Sequence, residues 1–259
     1  MNAPAEILTV VLVTFFGLIM GSAVTALSWR LPRGRSWVKG RSGCTSCGAT
    51  LTVRDLVPVF SWAFNRGRCR HCGAPVAMRY PLTELICAAW AVLLWAKLGP
   101  GWAFVPVAVW GFILITLTWI DFDFQILPDA LTLPGTLIAL AAVLPLPGGP
   151  RFALFGIVLA AGLLWFVGEV YYRVRGVEGM GGGDVKLAVM FGAVLGWQLS
   201  LLTILIAAAT GSLWGLALIR RGEGDGRTPL PFGTLLGPAA MVAFLWGDGW
   251  VEAYARLLR

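Results

Sequence analysis

Acidic residues are scarce in this 259-residue chain, 13 Asp and Glu against 20 Lys and Arg. Several of the acids lie in or beside long apolar runs, where a charge is costly and therefore marks a functional candidate. Asp121 closes one run, in Trp119-Ile120-Asp121-Phe122-Asp123-Phe124. A negative charge at the C-terminus of a helix is opposed by the helix dipole, so something else must favour it there. Asp184 opens another run, behind Glu178-Gly179-Met180-Gly181-Gly182-Gly183. Four glycines in five positions let the backbone approach a neighbour closely and adopt positive φ angles. Two carboxylates at one site cannot both ionise easily, so one keeps a proton and the pair titrates as a unit. Such a pair suits peptide-bond hydrolysis: one carboxylate activates water and the other protonates the carbonyl oxygen or the leaving amine. A Ser–His or Cys–His pairing has little to work with, because the single histidine, His71, lies beside Cys72 in a cysteine motif.

Blander roles compete for the same residues. Asp184 also suits the N-cap of the following helix, with the glycines as a hinge. A glycine-rich turn before a helix can hold a phosphate, but no Lys-Ser/Thr pair follows as in nucleotide-binding loops. Asp129 follows Pro128 at the start of an apolar run, and an N-cap role suits it. Asp123 is either a loop charge or a partner that tunes Asp121.

Four of the five cysteines form two pairs, Cys44/Cys47 and Cys69/Cys72, each followed by Gly-Ala. Each pair reads as a zinc knuckle, and two knuckles complete a tetrahedral four-sulfur site. The 21 residues between the pairs lie at the edge of the usual spacing. A four-sulfur site leaves no position open for water, so the metal is structural. Arg66, Arg68 and Arg70 are expected to favour the thiolate forms. The competing reading is disulfides, which a reducing cytosol disfavours. His71 reads as a surface residue of the second knuckle, and Cys87, inside an apolar run, as packing.

The elements that must position these groups are membrane spans. The chain is 58% hydrophobic and 13% charged, with mean hydropathy +0.79. The expected fold is an all-α polytopic membrane protein with about eight transmembrane helices and a small cytosolic zinc-binding insertion. The spans fall near residues 6–27, 81–97, 101–120, 130–146, 152–171, 185–197, 198–219 and 233–246. Three parts follow: a first transmembrane helix at 1–27, the insertion at 28–80, and a core at 81–259. The early run lacks a basic leader and is read as a retained span with its N-terminus outside. Alternation then puts sixteen of the twenty Lys and Arg on the cytosolic side, together with Asp121 and Asp184. Ten of them lie in residues 28–80, where Asp55 is the only acid, so the net charge of +7 reflects topology rather than nucleic-acid binding. An insertion of this size needs a metal or disulfides to hold its shape. The dyad is expected to face a lateral, lipid-accessible groove.

These residues resemble a known family. Gly181-Gly182-Gly183-Asp184 is similar to the GxGD signature of membrane aspartyl proteases. The blocks at 120–129 and 178–187, the paired CxxC insertion, Arg79-Tyr80-Pro81-Leu82-Thr83-Glu84 and Thr228-Pro229-Leu230-Pro231-Phe232-Gly233 resemble, in order and spacing, the bacterial prepilin peptidases (type IV leader peptidases). The resemblance implies cleavage of the basic leader of type IV prepilins and type II secretion pseudopilins at the inner membrane. It also implies methylation of the new N-terminus with S-adenosylmethionine, and it links the cysteine insertion to that second activity. Asp121 and Asp184 take the catalytic positions, with Gly181, Gly183, Glu178, Lys186 and Asp123 in supporting motif positions. The chain departs from the family at Gly21-Ser22-Ala23-Val24-Thr25, which lacks a Phe and an Asn, and at Phe124, where His is common.

Two other classes remain open on the residues alone. A proton- or cation-coupled transporter would use the carboxylates as a relay, but they cluster at one face and no inverted repeat is present. A scaffold docking a partner through the insertion would leave the glycine-flanked Asp184 unexplained.

Overall fold

The computed structural model describes residues 3–36, 40–146, 148–176, 179–223 and 230–258. Glu178, Lys39 and Arg227 lie outside the described residues, as does the Thr228-Pro229 part of the last motif. The regular structure is helical: α1 (Ala3–Arg30), α2 (Phe60–Phe64), α3 (Arg79–Leu98), α4 (Phe104–Phe124), α5 (Asp129–Val143), α6 (Gly149–Arg175), α7 (Gly182–Arg220) and α8 (Gly233–Leu257). The chain divides into two compact units, Met1–Phe104 and Val105–Arg259, so α3 groups with α1 and the cysteine insertion.

In the first unit, α1 lies against α3 through two glycines one helical turn apart. A Cβ on Gly17 would stand 2.5 Å from the Ala88 Cα, and one on Gly21 would collide with the Glu84 backbone. Small residues four apart let two helices approach this closely where no hydrophobic effect drives them together. Trp90, Ala91 and Leu94 of α3 are fully or almost fully buried. Cys87 is also fully buried, as expected for a packing residue.

The insertion holds its shape with little regular structure. Its two knuckles are copies of one another. Cys44 N–H donates to Ala49 O (2.9 Å) and Gly48 N–H to Cys44 O (2.9 Å); Cys69 N–H donates to Ala74 O (2.8 Å) and Gly73 N–H to Cys69 O (2.8 Å). Gly48 and Gly73, at φ 72° and 71°, close each turn in the left-handed region that glycine adopts without strain. The short α2 is tied down by its Trp62, whose Nε1–H donates to Val76 O at 3.0 Å.

In the second unit α4 is the most enclosed span, with Trp110, Leu114, Leu117 and Ile120 fully buried. α6 and α7 approach through Gly156 and Gly192, where a Cβ on either would press into the other's backbone. The opposite side of α6 presents Leu154, Phe155, Trp165 and Phe166 outward, as a lipid-facing surface does. Within α7, Gly196 leaves helical geometry at φ 66°, ψ −173°. An unbroken helix of its 39 residues would be about twice as long as the ~30 Å hydrocarbon core is thick. The break falls one residue before Trp197, where the sixth expected span ends.

Five helices are long and apolar enough to cross a membrane among the described residues, against the eight spans expected. The 15-residue α5 is short, at roughly 22 Å. The second half of α8 carries Asp248, Glu252 and Arg256. Residues 182–220 are two helical segments that meet at the Gly196 kink, close to where the sixth and seventh expected spans meet.

Candidate active site

Asp121 sits in the last turn of α4 and is 5% exposed. The helix ends just beyond it: Gln125 turns to φ 54° and its N–H donates to Asp121 O at 2.9 Å. The force that favours a negative charge at this helix end comes from α8. Thr234 N–H, one of the N-terminal donors that α8 cannot satisfy itself, donates to Asp121 Oδ2 at 2.6 Å, and the Thr234 hydroxyl donates to the same oxygen at 3.0 Å. The positive end of the α8 dipole thus faces a carboxylate that the dipole of α4 opposes. Close approach requires Gly233: a Cβ there would stand 3.0 Å from Asp121 Cγ and Oδ2 and from Leu127 Cδ1. One turn on, a Cβ at Gly237 would collide with the Thr118 hydroxyl of α4.

Asp184 reaches the same place from α7. The helix begins three residues earlier than an N-cap role for Asp184 requires. Gly181 is the N-cap, and Asp184 is the third helical residue, its N–H donating to Gly181 O at 3.1 Å. A first-turn position still favours its negative charge. Asp184 is 9% exposed, and the Asp121 carboxyl is near enough to act on it electrostatically. Leu127, in the loop after α4, packs between the two arms: a Cβ on Gly183 would stand 3.0 Å from Leu127 Cβ. Gly181 and Gly183 therefore keep the chain thin beside the carboxyls. Both aspartates are largely buried, and the Gly233–Thr234 segment packs against Asp121.

The remaining acids separate. Asp123 is exposed and two residues from Asp121, so the two side chains leave α4 on different faces. Asp129 does not cap α5; Pro128 holds the cap position, and no side chain bonds it. The Asp129 carboxylate instead pairs with Lys186 Nζ at 2.6 Å, joining α5 to α7 two residues beyond Asp184. Lys186 carries no assigned role in the sequence, and nothing there marks Thr234 beyond a Gly-Thr pair opening an apolar run.

In the first unit the four sulfurs of Cys44, Cys47, Cys69 and Cys72 lie within 4.8 Å of one another, with Cys44 and Cys72 at 3.9 Å. A tetrahedral metal with ~2.3 Å bonds to sulfur requires edges of about 3.8 Å, so the cluster fits such an ion. His71 is exposed and outside the cluster. The backbone N–H groups of Cys47 and Ser46 hold the Cys44 thiol down to about 6. Although the Ala74 N–H lowers Cys72, desolvation and the other three cysteines push it up to about 11. A cluster that favours one thiolate and resists the next needs a cation to ionise the rest. Arg70 is engaged elsewhere, its guanidinium pairing with Asp55 at 3.0 Å.

Comparison with known proteins follows the same division. Residues 15–98 match the family model described as the bacterial peptidase A24 N-terminal domain, and residues 108–216 match that of the type IV leader peptidase family. A protein of Aeromonas hydrophila described as prepilin leader peptidase/N-methyltransferase is 34% identical over 94% of this chain and 92% of its own length. Proteins of the same description from Pseudomonas putida and Pseudomonas aeruginosa are each 34% identical, over 97% and 92% of this chain and 94% and 90% of their own. No solved structure matches.

Proposed function

The chain belongs to the type IV leader peptidase family, and from that premise we propose that it is a membrane aspartyl endopeptidase acting on type IV prepilins and type II secretion pseudopilins. It removes the leader and then methylates the new N-terminus. The observation that carries the proteolytic half is the pairing of Asp121 and Asp184, which stand on different helices and are buried together. The two carboxyls share one proton. The ionised one takes a proton from water as the water oxygen bonds to the scissile carbonyl carbon. The protonated one gives its proton to the carbonyl oxygen; the proton taken from water then passes to the leaving amine as the C–N bond breaks, and a hydroxyl proton of the intermediate returns to the carboxyl pair. Thr234 holds one oxygen of Asp121 with two donors, which fixes the direction in which that carboxyl acts. Gly181 and Gly183 keep space beside the pair, and the Lys186–Asp129 bond anchors the first turn of α7. In the sequence, Asp123 holds a motif position two residues after Asp121, and Glu178 one six residues before Asp184.

Cys44, Cys47, Cys69 and Cys72 hold zinc, which crosslinks the two knuckles and keeps the insertion folded. S-adenosylmethionine supplies an activated methyl group for the second reaction. The protein lies in the inner membrane as a multi-pass chain, with its N-terminus outside. The excess of Lys and Arg in alternate loops supports placing the insertion and both aspartates on the cytosolic side.

The test is direct. Detergent-solubilised protein mixed with a purified prepilin should shorten it by its leader, read by mass spectrometry. An intact substrate after prolonged incubation with the wild type would refute the proteolytic reading. Ion flux in proteoliposomes that disappears in Asp121→Asn would favour the transporter instead.

A further inference from the structure

The proteolytic chemistry leaves one large feature of the first unit unused. A cavity of about 850 Å³ lies between the C-terminal half of α1, the start of α3 and the cysteine insertion. That volume falls in the range of roughly 300–1,000 Å³ typical of small-molecule sites. Its lining is chemically mixed: aromatic rings from Trp29, Trp62 and Tyr80, arginines from the insertion and the end of α1, and the carboxyl of Glu84.

Glu84 is the unusual member. It belongs to an apolar span, is 7% exposed, and lines the cavity. A carboxylate so placed is expensive unless it serves a purpose. It is held in position: Val59 N–H donates to Glu84 Oε2 at 2.7 Å. Val59 adopts φ 61° to do so, a conformation that β-branched residues strongly avoid. The other acid in the lining, Asp55, is already engaged by Arg70 and Thr52. Glu84 is therefore the carboxylate left for a cation in the cavity, with aromatic walls beside it and arginines at Arg30, Arg41 and Arg68.

A ligand that matches this lining carries a positive centre, a flat ring and a carboxylate together. We infer that the cavity binds S-adenosylmethionine, with Glu84 taking its cationic end. The assignment rests on the methylation half of the proposed function. A phosphate or an anionic lipid headgroup would suit the arginines but would be repelled by Glu84. Cys44 and Cys69 also line the cavity, so the metal cluster forms part of its wall. The insertion thereby gains a reason to accompany methylation: its folded shape completes the donor site.

The experiment uses full-length zinc-loaded protein in detergent. Binding of S-adenosylmethionine is read by calorimetry and by quenching of tryptophan fluorescence, with S-adenosylhomocysteine and inorganic phosphate as comparison ligands. Glu84→Gln should weaken S-adenosylmethionine binding about ten- to hundredfold, the loss of one charge-assisted contact. It should also narrow the preference over S-adenosylhomocysteine, which lacks the sulfonium charge. Ala26→Phe, which places a ring in the cavity from α1, should abolish binding. Zinc content and melting temperature check that both variants are folded. Wild-type affinity in both folded variants would overturn the assignment, as would phosphate binding that tightens in Glu84→Gln. A wild type that cleaves prepilin but neither binds the donor nor transfers a labelled methyl group would instead overturn the methylation reading itself.

Discussion

Replacing Gly233 by alanine tests whether α8 positions Asp121. The new Cβ would stand 3.0 Å from Asp121 Cγ, from Asp121 Oδ2 and from Leu127 Cδ1, whereas ordinary contact begins at 3.4 Å. Something must move by 0.4 Å, and the carboxyl is the group being pushed. Gly233 is the first residue of α8 and its φ is not positive, so the backbone itself tolerates alanine. A 1 Å displacement of a catalytic group can cost about a hundredfold in rate, and a shift of 0.4 Å is a sizeable part of that. The expected result is a fall of roughly tenfold in kcat/KM for leader cleavage, about 1.4 kcal/mol of transition-state stabilisation. Overpacking adds a stability loss of about 1–3 kcal/mol. The assay is timed cleavage of purified prepilin by mass spectrometry, with a melting curve on the same preparation. Gly233→Ala cleaving within twofold of the wild type, with unchanged melting, would refute the reasoning, because the clash would then have been absorbed without cost.

Other outcomes follow from the same geometry. Thr234→Val removes the hydroxyl donor at 3.0 Å but keeps the N–H donor at 2.6 Å. Cleavage should fall by about tenfold or more, corresponding to one hydrogen bond to a charged group; a rate equal to wild type would show that the hydroxyl contributes nothing. The Lys186–Asp129 pair is half exposed on both sides, so a double-mutant cycle should give a coupling of about 1 kcal/mol or less. A markedly larger value would mean that the pair is part of the catalytic network rather than an anchor. Cys72→Ser, or a strong chelator, should release one bound metal per chain and expose the insertion to limited proteolysis; full protease resistance in metal-free protein would show that the cluster does not hold the insertion together. Gly196→Ala places a Cβ against the Phe152 ring in a backbone conformation with φ 66°, and should lower the melting temperature by at least several degrees.

What could be read before the fold was known was whatever the chain writes locally. Apolar length marks a span, so α1, α3, α4, α6 and α7 were visible as runs. The two Cys-x-x-Cys-Gly-Ala turns carry their own metal geometry within six residues each, so the cluster was legible as well. Asp121 and Asp184 stood out because a carboxylate at a membrane boundary needs a reason. The reason was not legible. Thr234 lies 113 residues from Asp121, and no local pattern announces that the N-terminus of one helix will meet the C-terminus of another. The Lys186–Asp129 bond spans 57 residues in the same way. The expected cap at Asp129 failed because Pro128, with its extended backbone, occupies that position and leaves the aspartate free to pair with Lys186. Span counting blurred where hydropathy alone decides, in the short α5 and the charged end of α8.

The central claim is that Asp121 and Asp184 act as a pair on one peptide bond. Its most direct test is the cleavage rate of purified Asp121→Asn, Asp184→Asn and the double variant on one prepilin substrate, with metal content measured to check that the insertion is folded. Asparagine nearly preserves the shape of each side chain and removes only its proton chemistry. The account predicts that each single variant loses essentially all cleavage and that the double variant is no worse than either, as groups acting as a unit must be. Cleavage by a folded single variant at a rate near that of the wild type would contradict it.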